Sequence, residues 1–165
     1  MVVCIVDNSS FPSDSSITPE IFMPLTLKQA NTICEKALEH ARAKNYAKLT
    51  VVVLDESGNL KAVQREDGAS MFRYDVALGK AWGAVAMSCS SRALANRAKG
   101  NQNFFLTLAA TAQGKFLPQQ GAVLIRDAGG AILGAAGISG ASGDEDEECA
   151  AKGVEAAGLK PDASA

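Results

Sequence analysis

The chain has 165 residues, 47% hydrophobic and 21% charged, with a net charge of −2; this suits one soluble domain that buries a core without staples. A slightly acidic balance and 5% aromatic content exclude a nucleic-acid surface of interleaved basic and aromatic residues. The charge is unevenly spread. Residues 76–126 contain no Asp or Glu, while Lys80, Arg92, Arg97, Lys99, Lys115 and Arg126 are basic. From Asp144 onward seven acids outweigh Lys152 and Lys160. The two segments either meet one another, within or between subunits, or the basic one holds an anionic ligand.

Residues 1–24 read as a polar N-terminal arm with two short apolar clusters, Val2–Val6 and Ile21–Met23. Neither cluster is long enough to span a membrane or to form a signal-peptide core. Cys4, Cys34, Cys89 and Cys149 lie far apart with no C-x-x-C pair, which argues against a zinc site or a disulfide framework. A reducing, cytoplasmic setting follows as the expectation.

The domain is expected over 25–160. Thr26 caps a helix with Gln29 in the reciprocal position, and Leu27, Ala30, Ile33, Cys34, Ala37, Leu38 and Ala41 mark one apolar face. His40, the only histidine, flanks that face. Leu49–Leu54, a turn at Asp55-Glu56-Ser57-Gly58-Asn59, and Leu60–Gln64 form a hairpin. Three helices follow: about Met71 to Ser88, part of Ser91–Lys99, and part of Asn103–Gln113. The first is apolar nearly all round, so it is covered on more than one side. Gly79 and Gly83 on it admit a second backbone, expected from a neighbouring subunit. Lys80, in small-residue surroundings, is snorkelling, paired with a carboxylate, or shifted in pKa for chemistry.

A second hairpin spans Ala122–Arg126 and Ala131–Ile138. Its second strand dissolves into a loop in which Gly134, Gly137, Gly140 and Gly143 recur every third residue. Ser142 and Glu145 form a capping box for an acidic helix to about Ala157, stopped by Gly158 and Pro161, with 161–165 a C-terminal tail. The loop has neither G-x-G-x-x-G spacing nor a following Gly-Lys-Ser/Thr, and five consecutive carboxylates would repel a phosphate. Two readings stand: a closely packed strand end with a capped helix, or a cation site formed by Asp144, Glu145 and Glu148. No metal motif has good spacing, and His40 is the other side chain able to ligate.

Several blocks resemble the GlcG/HbpS-like proteins in order: 53–60 (Val-Leu-Asp-Glu-Ser-Gly-Asn-Leu), Arg65-Glu66-Asp67-Gly68-Ala69, Val76-Ala77 with Lys80-Ala81, Phe116-Leu117-Pro118, Ile125-Arg126-Asp127, and Gly137-Ile138-Ser139-Gly140 with the acidic helix. The resemblance implies an α+β, profilin-like three-layer sandwich, a five-stranded antiparallel sheet with helices on both faces, assembled into dimers and higher oligomers. Four strands are visible in the pattern; the fifth is not. The family is often labelled haem-binding or haem-degrading, and a related module closes some corrinoid adenosyltransferases. The chain departs where Gln119-Gln120-Gly121-Ala122-Val123 replaces the family's Pro-Gly-Gly-Val, and Ala122 narrows any cavity there.

Three functions are therefore expected in competition. One is an oligomeric protein binding haem or a related anionic tetrapyrrole, with weak degradative activity. Another is an enzyme acting on a small carboxylated or phenolic metabolite at a subunit interface. The third is a non-catalytic assembly module. Arg65, Asp67, Lys80 and Arg126 are the ligand-binding candidates, and Lys80, Asp67 and Glu148 the candidate acids or bases.

Overall fold

A computed structural model describes residues 23–164; the N-terminal arm up to residue 22 lies outside the described residues. Helix α1 (Leu27–Ala43) opens with the expected capping box between Thr26 and Gln29. Strands β1 (Thr50–Asp55) and β2 (Leu60–Arg65) follow as a hairpin, its turn held by Asp55 Oδ1 accepting from the Ser57 and Asn59 amides. Next come α2 (Phe72–Met87), α3 (Ser91–Gly100), α4 (Gln102–Thr111), β3 (Ala122–Arg126), β4 (Ile132–Ser139), α5 (Gly143–Ala156) and β5 (Lys160–Asp162). The strands form one antiparallel sheet in the order β2-β1-β4-β3-β5.

The fifth strand lies where the sequence suggested a helix stop and a tail. It has three residues, so it offers no alternation to read. Pro161 opposes Ile125 in the register, a residue without an amide donor that an edge strand tolerates.

Both faces of the sheet are covered, which makes this an α+β three-layer sandwich. Val51, Val53, Val123, Ile125, Ala136 and Ile138 pack with the apolar stripes of α1 and α5. Val52, Leu54, Leu124 and Ala135 meet Ala77, Ala81 and Ala84 of α2 on the other face. Interior strand β1 is buried on both faces from Thr50 to Leu54, and so its Val51–Leu54 reads as a continuous apolar run.

Alanine and glycine set the layer spacing. A methyl group on Gly137 of β4 would collide with the Ala77 carbonyl and lie 2.9 Å from the Ala81 side chain, so α2 sits directly on the strand backbone. On its outer side α2 is covered by its own chain. Leu117 donates its amide to the Gly79 carbonyl at 3.2 Å, and a Gly83 methyl would lie 3.3 Å from Leu94 and 3.5 Å from Phe116. The close approach at Gly79 and Gly83 is present, but it is made by α3 and the segment before β3, not by another subunit. Leu94, Phe105 and Phe116 form a small second core there, joined by Trp82.

Gly137→Ala should therefore overpack the α2–sheet contact and cost about 1–3 kcal/mol. Gly100→Ala, at a helix residue with nothing within 4 Å of the added methyl, should be neutral or stabilising by up to about 1 kcal/mol. Urea unfolding of both variants checks the contrast.

Candidate functional site

At the C-terminal end of β4 the chain turns through Gly140 and Ala141 into α5, while α2 passes beside it. The Ser142 hydroxyl accepts from the Glu145 amide, and Glu145 accepts from the Ser142 amide at 2.9 Å, which fixes the first turn of α5. That turn aims Asp146 inward. Lys80 of α2 donates to Asp146 Oδ2 and to the Ile138 carbonyl, each at 2.9 Å, and Asp146 Oδ1 accepts from the Ala141 amide at 3.0 Å. Lys80 is only 5% exposed and Asp146 1%. Burial pushes the Asp146 carboxyl above its usual range, opposed by the Lys80 ammonium and the Ala141 amide. Gly121 completes the enclosure: its φ of +124° suits glycine, and a methyl there would lie 2.5 Å from Lys80 Nζ.

A cleft of about 390 Å³ opens above this pair, lined by Arg73, Val76, Gln119, Gln120 and Ser139 as well as Lys80 and Asp146. Arg73 is half-buried, and its Nη1 lies 3.5 Å from the Ser139 hydroxyl. Among the described residues no carboxylate lies within 4.0 Å of its guanidinium. The cleft thus holds two cations and one carboxylate: Lys80 binds Asp146 directly, while the Arg73 guanidinium acts on it only through space and keeps its hydrogen-bond donors for a ligand.

Of the expected ligand-binding residues, Lys80 lines this cleft and Arg65, Asp67 and Arg126 do not. Arg65 is exposed and donates to the Ala69 carbonyl. The register Arg65↔Thr50↔Ser139 places it two strands from Ser139 on the α2 face, about 10 Å across the sheet. Asp67 is exposed in the turn before α2. Between them Glu66 accepts the Leu49 amide at 2.7 Å and pairs with Arg42 at 2.8 Å, so that block also ties β1 to α1. Arg126 lies at the opposite end of β3 from Lys80, holding Asp162 of β5 at 2.8 Å and the Gly130 carbonyl at 2.8 Å.

Glu148 and His40 do meet, but in the α1–α5 layer. Glu148 is 2.9 Å from His40 Nε2 and accepts the Tyr46 hydroxyl at 2.8 Å. The Tyr46 and His40 hydrogen bonds hold the Glu148 carboxyl below its usual range, while the same bond pushes the Tyr46 phenol up to about 12. Asp144 accepts from Arg92 at 2.7 Å and from Gln120 at 2.6 Å, and Glu145 serves the cap. No group of three His, Cys, Asp or Glu able to hold a metal occurs among the described residues.

Asp146 escaped the sequence reading, as did the role of Arg73. A signal for Asp146 was present: Cys149, Ala150 and Gly153 lie three, four and seven residues on, so the apolar stripe of α5 runs back through it. The split of charge along the chain is largely pairing, through Lys80–Asp146 and through Arg92, which bridges Asp144 and Glu147 at 2.7 Å each.

Residues 25–155 match the family described as "Haem degrading protein HbpS-like". Among solved structures, the PduOC:Heme complex is 25% identical with a TM-score of 0.72, covering 81% of this chain and 95% of the other. HbpS is 26% identical with a TM-score of 0.69, covering 93% and 97%. The Klebsiella pneumoniae protein ORFY shares the fold at 23% identity and a TM-score of 0.74, covering 87% and 98%. No curated protein matches the chain.

Removing one partner of the buried pair strands the other. Lys80→Met should cost about 3–5 kcal/mol, and Lys80→Met with Asp146→Asn should recover much of that loss in denaturant unfolding. A second expectation concerns acid. Because the Tyr46 and His40 hydrogen bonds hold the folded Glu148 carboxyl below its ordinary value, its contribution is present above that ordinary value and is lost as pH falls through the lower, folded one. Thermal melts in a falling pH series should therefore drop more steeply for wild type than for Glu148→Gln.

Proposed function

Because the chain belongs to the HbpS-like family, we propose that it binds haem or a related anionic small molecule, with the carboxylates received by Arg73. The observation that carries this is the half-buried guanidinium without a carboxylate, in a cleft where the neighbouring Lys80 is already neutralised. The haem complex of a structural neighbour supports the ligand class.

The residues fit a haem in most respects. Arg73, with Arg65 along the same sheet face, suits propionates. Met71 and Phe72, 83% and 65% exposed immediately before Arg73, offer apolar surface to a macrocycle. His40 is engaged with Glu148 in the other layer, and the exposed Met71, two residues before Arg73, carries a thioether able to ligate iron. When bound, haem would supply a redox-active iron, which is the chemistry a weak degradative activity needs. The proposal includes a homo-oligomer, since edge strand β2 presents Leu60 and Val63 to solvent, and a cytoplasmic setting, from the scattered cysteines without a C-x-x-C pair. No described helix is long and apolar enough to cross a membrane.

A second reading draws on the size of the cleft. About 390 Å³ is near the lower end of ligand pockets, roughly 300–1,000 Å³, so it takes a small carboxylated metabolite whole and a tetrapyrrole only by its edge.

Haem titration should give a Soret shift saturating at one site per subunit, and Arg73→Gln should weaken it by about 1.5 kcal/mol or more. Small acids that raise the melting temperature through Arg73 while haem does not would favour the second reading. If neither ligand class binds, the assembly-module reading stands and the proposal falls.

A further inference from the structure

We infer that the Arg73 cleft is one end of a longer groove that accepts an amphipathic acid, its carboxylate on Arg73 and its apolar body beneath α4. This rests on the reading of Arg73 above and adds a class of ligand to it.

The second half of the groove is a pocket of about 340 Å³ between α3, α4 and the segment leading to β3. Its walls are almost wholly apolar: Phe105, Leu106 and Ala109 from α4, then Phe116, Leu117 and Pro118. The Phe105 and Phe116 rings, with centroids 6.0 Å apart and planes 28° from parallel, give it a flat side. Gln119 lines both this pocket and the Arg73 cleft, so the two hollows adjoin at a single side chain.

Phe105 and Leu108 of α4 pack into the Leu94–Phe116 core, which leaves the exposed Phe104 and Leu106 outside it. Of its sequence Gln-Asn-Phe-Phe-Leu-Thr-Leu-Ala-Ala-Thr, only Phe105 is buried, and Leu106 is 70% exposed. An apolar pocket that shares Gln119 with a cleft where a guanidinium has no carboxylate in direct contact matches a ligand with an apolar body and one anionic end. It does not match a second polar protein surface, and the one acid lining the cleft, Asp146, is already bound by the Lys80 ammonium.

The test uses decanoate and the fluorescent aryl sulfonate 1-anilinonaphthalene-8-sulfonate as probes on the full chain. Both should bind saturably at one shared site, shown by displacement of the dye with decanoate. The lone Trp82, packed on the Phe116 cluster, should transfer its excitation to the bound dye. Arg73→Gln and Leu106→Gln should each weaken decanoate by about tenfold. Leu106 is exposed, so its replacement leaves folding intact; Ala109→Phe fills the pocket, and its unfolding midpoint checks that it too is folded. Decanoate affinity unchanged in both Leu106→Gln and Ala109→Phe overturns the groove. A smaller oligomer in Leu106→Gln without loss of decanoate also overturns it, because α4 then covers a second copy of the chain. Haem serves as the separate control. Haem weakened by Arg73→Gln while decanoate does not bind leaves the proposed function standing and removes the groove. Decanoate lost in the pocket variants while haem binds Arg73→Gln as well as wild type upholds the groove and removes Arg73 from haem binding.

Discussion

Lys80 and Asp146 are an ammonium and a carboxylate taken out of water, and their mutual satisfaction constrains much of what surrounds them. Desolvating two charges is offset only with good geometry and with partners for the remaining donors and acceptors. Here the Ile138 carbonyl and the Ala141 amide supply those partners. One pair therefore fixes α2 against the end of β4 and sets the position of α5 relative to both. It also requires Gly121, because any side chain there would enter the ammonium's space. The cleft above the pair inherits its shape from this arrangement, and its charge from Arg73.

The same economy of volume governs the layers. Gly137 admits the α2 backbone on one face of the sheet, and Gly153 of α5 admits the Ile33 carbonyl of α1 on the other. Close packing of small residues leaves little room for adjustment, since interiors are dense and respond to a single methylene. The open hollows then lie at the rim, where the segment before β3 passes from the apolar pocket to the polar cleft.

Much of this was legible in the sequence. Capping boxes at Thr26 and Ser142, turn residues at Asp55 and Asp127, and the period of each helix mark local structure, and local structure is what a sequence states directly. The all-round apolarity of α2 showed that it is covered twice, but not by what: Leu94, Phe116 and Leu117 reach it through tertiary packing. β5 was hidden because three residues including a proline carry no period. Asp146 was hidden because it stands in a run of five acids that look alike until burial separates them. Arg126 looked available for an anion because its partner, Asp162, lies 36 residues away.

The single buried side chain of α4 also sets an order of opening. Regions with few buried apolar contacts unfold locally at low free energy, whereas the sheet and the layers locked by the buried pair open near the global limit. Amide protons in α4 will accordingly exchange with solvent well before those of β1, β3 and β4. The outer wall of the apolar pocket can thus open locally while the sheet and the layers locked by the Lys80–Asp146 pair remain closed.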